Sequence, residues 1–132
     1  MKNLFTKIFG SHLKTVPENI QNELYSHFPG AMNVEWEYKQ NYYEAIFYLN
    51  DVEHISRISE SGELTEYKKN LWPSELPEEI GIKCNQQGEV MNCIVIFRQE
   101  NLFYEVIIRD SEFNRKLLLF DKSSDLLNTK KL

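Results

Sequence analysis

Val16-Pro17-Glu18-Asn19-Ile20 opens a pattern that begins again sixty positions on, as Leu76-Pro77-Glu78-Glu79-Ile80. Tyr42-Tyr43-Glu44-Ala45-Ile46-Phe47 recurs sixty-one positions later as Phe103-Tyr104-Glu105-Val106-Ile107-Ile108, and Val34-Glu35-Trp36 recurs at that offset as Val95-Ile96-Phe97. Gly62-Glu63-Leu64 lines up with Ser124-Asp125-Leu126 at sixty-two. Order is kept and the offset drifts by single residues, as short loop insertions produce, so the chain reads as two tandem copies of one unit. Repeat one covers 16–70 and repeat two 76–127, inside a single domain over 15–127. An amphipathic segment, 1–14, precedes it and a tail, 128–132, follows.

Each unit opens with a helix signal. Proline is tolerated at the first helical position because its missing N–H would have no partner there, and acidic residues suit the first turn. Ile20, Leu24 and Phe28 fall on one face of a helix that Pro29-Gly30 stops. The second helix carries Gly81 inside it and Asn85 near its end, so it is expected to be short and frayed. Alternation then predicts strands at Val34–Tyr38, Tyr42–Leu49, Val52–Ser59 and Glu63–Lys68. Turns are expected at Lys39-Gln40-Asn41, Asn50-Asp51 and Ser61-Gly62. Unit two repeats this as Met91–Arg98, Leu102–Arg109, Phe113–Phe120 and a short tail strand around Leu126. Short connections make neighbouring strands antiparallel. The fold class is α+β: two tandem helix-plus-antiparallel-strands repeats forming a broad antiparallel sheet with helices packed on one face.

A chain of 132 residues can bury its own core. Its net charge of −5, with 15 basic against 20 acidic residues and no basic cluster, argues against nucleic acid as a partner. Two cysteines, Cys84 and Cys93, are too few for a disulfide framework. Buried reduced thiols are favoured over a single bridge between them. Lys7 interrupts the apolar run near the N-terminus, where a secretory signal needs about 7–15 uninterrupted apolar residues, and no stretch approaches a membrane span. A cytoplasmic protein with no membrane association is expected.

The helix ending Phe28-Pro29-Gly30-Ala31, then Val34-Glu35-Trp36-Glu37, then Tyr43-Glu44-Ala45-Ile46-Phe47 and Asn50, resembles the PepSY-like, β-lactamase-inhibitor-protein-like domains of bacteria. The restart at Leu76-Pro77 and the second pair Tyr104-Glu105 fit that family's tandem layout, from about Thr15 to Leu127. Members are known chiefly as secreted or periplasmic proteins. The resemblance implies helices on a broad antiparallel sheet and a binding or inhibitory role. Members often carry an Asp-x-Asp-Gly turn after the third strand. Here Ser59-Glu60-Ser61-Gly62 and Asp121-Lys122-Ser123-Ser124 stand in its place, with too few carboxylates for the six or more oxygens calcium takes.

No catalytic constellation is found. His12, His27 and His54 have no metal-ligand spacing, and neither cysteine has a local histidine to activate it. Glu35, Glu37 and Glu44 can share a sheet face, but on an open sheet they are solvated, with nothing to move their pKa values apart. Five scattered glycines form no phosphate loop. No cofactor, no metal and no enzymatic activity are expected.

Surface shape remains. If Tyr43, Ala45 and Phe47 face the helices, then Tyr42, Glu44, Ile46 and Tyr48 face away. The same parity in unit two exposes Ile94, Ile96, Phe103 and Ile107, joined by Leu117 and Leu119. A solvated sheet face should be polar, so these six residues are the candidate partner-binding surface. Two occupants stay open: a protein partner or second copy, or the segment 1–14, whose Leu4, Phe5, Ile8, Phe9 and Leu13 have helical spacing. Trp36 and Trp72 are large anchors, with Trp36 assigned to the core by parity. The reading is a non-enzymatic protein-binding module, inhibitor- or immunity-like, using the open sheet face. The alternative is a small-ligand or peptide sensor with a pocket between helices and sheet.

Overall fold

The computed structural model describes residues 15–132. The expected amphipathic segment 1–14, including His12, lies outside the described residues. Helix α1 (Glu18–His27) leads strands β1 (Met32–Lys39), β2 (Tyr42–Leu49), β3 (Val52–Ser59) and β4 (Leu64–Leu71). Helix α2 (Glu78–Asn85) leads β5 (Glu89–Arg98), β6 (Asn101–Arg109), β7 (Arg115–Asp121) and β8 (Leu126–Lys131). A 3-10 turn at Pro73–Glu75 joins β4 to α2. The eight strands form one open sheet in sequence order, each antiparallel to the next. Sheet dominates the architecture, and the helices are short. Among the described residues no helix is long and apolar enough to cross a membrane.

The prolines act at the helix starts, each one residue ahead of the first helical residue, and Glu18, Glu78 and Glu79 fill the first turns. Spacing of four turns Ile20 and Leu24 of α1, and Ile80 and Cys84 of α2, onto the sheet, where all four are fully buried. The expected shortness of α2 is observed: it spans eight residues with Gly81 inside.

Cross-strand register decides which side chains share a face. Trp36 lies opposite Ala45, Tyr43 opposite Ile58 and Phe47 opposite His54, so all stand on the helix side. Tyr67 opposite Phe97 and Leu71 opposite Cys93 carry that side across the β4–β5 seam. Both helices therefore pack on the same face. One core gathers Ile20, Leu24, Tyr43, Ala45, Phe47 and Ile58, with Phe28 and Trp36 packed against it. The other gathers Ile80, Cys84, Cys93, Val106, Ile108, Leu118 and Phe120. Trp36 thus belongs to the core as its parity requires, whereas Trp72 is 71% exposed.

The turns follow backbone chemistry. Asn50 and Asp51 both take positive φ, the two-residue turn whose twist matches a hairpin. The β3–β4 and β7–β8 turns close alike. Gly62 N–H donates to Ser59 O and Ser124 N–H to Asp121 O, with Gly62 and Ser124 in the left-handed region. Strands β1 and β5 each begin two residues earlier than expected, and three further boundaries differ for a local reason. β4 continues past Lys68 to Leu71, because its polar run is paired on both sides. Phe113 is 75% exposed at positive φ in the β6–β7 turn, where Asp110 Oδ1 accepts the Glu112 and Asn114 N–H groups, so β7 begins at Arg115. β8 runs through 126–131, most of the stretch assigned to a tail, held by its ladder with β7.

Candidate functional site

The face opposite the helices divides into two halves of unlike chemistry. On β1–β4 it is a lattice of ion pairs. Glu44 meets Lys39 at 3.0 Å and Arg57 at 4.0 Å. Glu66, nearly buried, accepts from Arg98 Nε at 2.8 Å and lies 3.7 Å from Arg57 and 3.9 Å from Lys68. The Arg57 guanidinium also covers the Tyr42 ring at 4.3 Å. Glu35, Glu37 and Glu44 do share this face, as their parity requires. Glu37 lies 4.0 Å from Lys39, so both it and Glu44 have cations beside them.

On β5–β7 the same face is apolar. Register sets Ile94 opposite Glu105, and Glu105 opposite Leu119. Ile96 lies opposite Phe103, and Ile107 opposite Leu117. All six candidate residues therefore share one contiguous surface. Their exposure differs from the expectation: Ile96 is 4% exposed, and the other five are half-buried. Ile96 lies between Lys68 and Phe103 on the two flanking strands, which leaves it little access to water. Glu105 stands at the centre of the six, opposite Ile94 and Leu119. Asn92 and Asp121 hold the diagonal corners, and Asp121 Oδ1 already accepts the Ser123 and Asp125 N–H groups. Among the described residues Glu105 has no ion pair and its side chain no hydrogen bond. Alternation alone could have located it; a lone acid on an outward position carries no other mark.

Beside this surface, at the ends of β2–β5, lies an open hollow of about 420 Å³, walled by Tyr48, Trp72, Asn70 and Asn92, with Asp51 and Glu53 at its rim. Between helices and sheet, Ile20, Leu24, Ile80 and Cys84 are fully buried.

Candidate chemical groups occupy structural positions. His27 contacts Glu23 at 3.0 Å on the surface of α1. His54 is buried, stacks between Phe47 and Tyr67, and shares a 3.0 Å hydrogen bond between its Nδ1 and the Tyr67 hydroxyl. Burial, with Lys69 nearby, holds its pKa below the ordinary imidazole value. Cys84 and Cys93 are free, buried thiols. Burial pushes Cys84 up to about 11, with Cys93 adding to the rise, and Cys93 donates to the Leu71 carbonyl at 3.3 Å. Among the described residues no three His, Cys, Asp or Glu side chains converge to hold a metal ion.

No family model matches the chain, and no curated protein does. Solved structures do match in fold. A BLIP-like protein from Bacteroides fragilis superposes with a TM-score of 0.79 at 17% identity, covering 92% of this chain and 90% of that one. A DUF2874 family protein from Bacteroides uniformis gives 0.78 at 17% identity, covering 89% and 90%. A protein from Bacteroides eggerthii, described as periplasmic, gives 0.78 at 17% identity with the same coverage. None of these three is described as a PepSY protein. The cytoplasmic expectation is corrected here: a chain of this fold is described as periplasmic, so the fold does not mark a cytoplasmic protein. The chain shares the fold of a BLIP-like protein and of a DUF2874 family protein.

Proposed function

We propose that the chain is a non-enzymatic protein-binding module, inhibitor- or immunity-like, that docks a partner on the outer face of β5–β7. The observation that carries this is the contrast between halves of one face: ion pairs on β1–β4, and Ile94, Ile96, Phe103, Ile107, Leu117 and Leu119 on β5–β7. Covering apolar side chains is worth about 1.5–3 kcal/mol for each one fully buried, an incentive concentrated on β5–β7, whereas the ion-paired half offers the single aliphatic pair Ile46–Ile55 beside Tyr42 and Tyr48. The BLIP-like fold neighbour suits a binding role. The same reading takes the halves as copies of one ancestral unit. In its support, Trp36 and Phe97 share the helix-side face, as do Tyr43 and Tyr104, and the two glycine-type turns close alike. Duplication followed by divergence leaves one copy free to keep its face charged while the other becomes adhesive.

The test uses the wild-type chain, Ile107→Glu and Ile46→Glu as baits in an extract of the native cell, with melting temperatures measured alongside. A stoichiometric protein held by wild type and Ile46→Glu but lost from Ile107→Glu supports the docking face. Retention by all three refutes it. Loss of stability rather than association in Ile107→Glu means that the chain itself covers the face, and also refutes it. Sedimentation of each form reads self-association. A second reading, a small-ligand or peptide sensor, is favoured by the hollow beside the exposed Trp72 and Tyr48. Ligand-dependent melting that Trp72→Ala abolishes would support it.

A further inference from the structure

Resting on the docking face proposed above, we infer the chemistry of its occupant: a partner segment carrying one Arg or Lys side chain flanked by apolar ones, the cation seated on Glu105. The apolar ring is laid around a carboxylate. Ile94 and Leu119 are its cross-strand neighbours, Phe103 and Ile107 precede and follow it on the same face of β6, and Ile96 and Leu117 sit diagonally. Elsewhere on this face Glu37, Glu44, Glu66 and Glu89 each lie within 4.0 Å of a Lys or Arg nitrogen, and Glu53, which has no such partner among the described residues, lines the open hollow and not the apolar ring. Glu105, ringed by aliphatic and aromatic groups, has no such neighbour among the described residues.

A partner that covers the ring takes Glu105 out of water. A wholly apolar footprint would leave a desolvated charge without a counterion, which is far more costly than leaving the face wet. One that brings a guanidinium or ammonium to the centre restores the hydrogen bonds that water supplied, in a medium where they are stronger. Guanidinium fits best, since its planar fork meets both carboxylate oxygens. The same carboxylate disfavours a second copy. A closed two-fold pairing centred on the ring sets Glu105 against its own counterpart, and like charges directly opposed repel. Glu105 thus both selects and rejects, the unpaired charge being the penalty that wrong partners meet.

Short random peptides displayed on phage and selected against the wild-type chain test this. The methyl signals of Ile94, Ile96 and Ile107 report where each selected peptide sits. Expected are peptides with a single Arg or Lys between apolar residues that shift those methyls. Their affinity should fall about tenfold or more when the peptide's basic residue is replaced by Gln, or when the protein carries Glu105→Gln. Glu105→Arg should turn the selection toward peptides with Asp or Glu at that place. The peptide-side replacement uses the wild-type protein, so the result stands even if a variant fails to fold. Peptides that shift the three isoleucines without a basic residue, or that bind equally after either replacement, overturn this inference and leave the docking face standing. Selection that yields no peptide on those isoleucines overturns both.

Discussion

Phe47→Ala tests the packing that orients the whole sheet. Phe47 is fully buried, its ring 4.9 Å from Phe28 and 5.4 Å from His54 between centroids. Returning a buried aromatic to water costs about 1.5–3 kcal/mol. If roughly 50–80 Å³ of the vacated space stays empty, the cavity adds about 1–2 kcal/mol at ~24 cal/mol per Å³. The expected loss is therefore about 3–5 kcal/mol. For a chain of this size each kcal/mol moves the midpoint by roughly 3–5 °C, so melting should fall by at least about 10 °C. Urea unfolding followed by Trp36 fluorescence gives the free energy directly, with the slope against denaturant unchanged if only the packing is altered. Phe113→Ala, at a ring 75% exposed, is the control and should cost no more than about 0.5 kcal/mol. A loss below about 1 kcal/mol for Phe47→Ala would place Phe47 on the wrong face, and the face assignment of Glu105 and its ring would fall with it, since one register fixes both.

His54 gives a pH signature. Its folded pKa lies below the ordinary 6.5, so its contribution is whole above that value and is lost as pH falls, because the unfolded chain takes the proton first. Urea midpoints should drop between about pH 7 and 5, and His54→Phe should flatten that slope; identical slopes for the two proteins would contradict it. The thiols give a reactivity signature. With Cys84 raised to about 11 and both cysteines buried, a thiol-specific disulfide reagent should label neither in the folded protein and both in denaturant. Fast labelling of the native chain would show that the second core is not closed.

Much of this fold was legible in alternation. Tyr43, Ala45 and Phe47 pointed to one face and Ile94, Ile96, Phe103 and Ile107 to the other because strand period is fixed at two, whatever the tertiary context. Lys68-Lys69-Asn70 and Asn128-Thr129-Lys130 do not alternate in hydrophobicity. They are strands because neighbours offer a ladder, which local sequence does not record. Phe113 looked like the start of a strand, whereas the Asp110 side chain makes it part of a turn. At the candidate site, parity located the six apolar residues. The burial of Ile96 depends on Lys68 and Phe103 from two other strands, and the isolation of Glu105 depends on which charges its neighbours lack. Both are properties of juxtaposition across strands.

The strand order has a kinetic consequence. Every strand pairs with its neighbour in sequence, so no ladder waits for a distant segment, a topology that favours fast folding for a sheet protein. On a ribosome adding about 5–20 residues per second, synthesis of 72–98, through the end of β5, takes roughly 1–5 seconds after β4 is complete. For that interval the nascent chain can hold its first core closed, with β4 as a temporary free edge. Glu66, Lys68 and Lys69 lie on that strand, and charges of this kind are what proteins place on free edges to keep other chains from adding to them. The polar character of a strand that ends up central thus suits the half-made protein: β4 is guarded until β5 arrives to cover it.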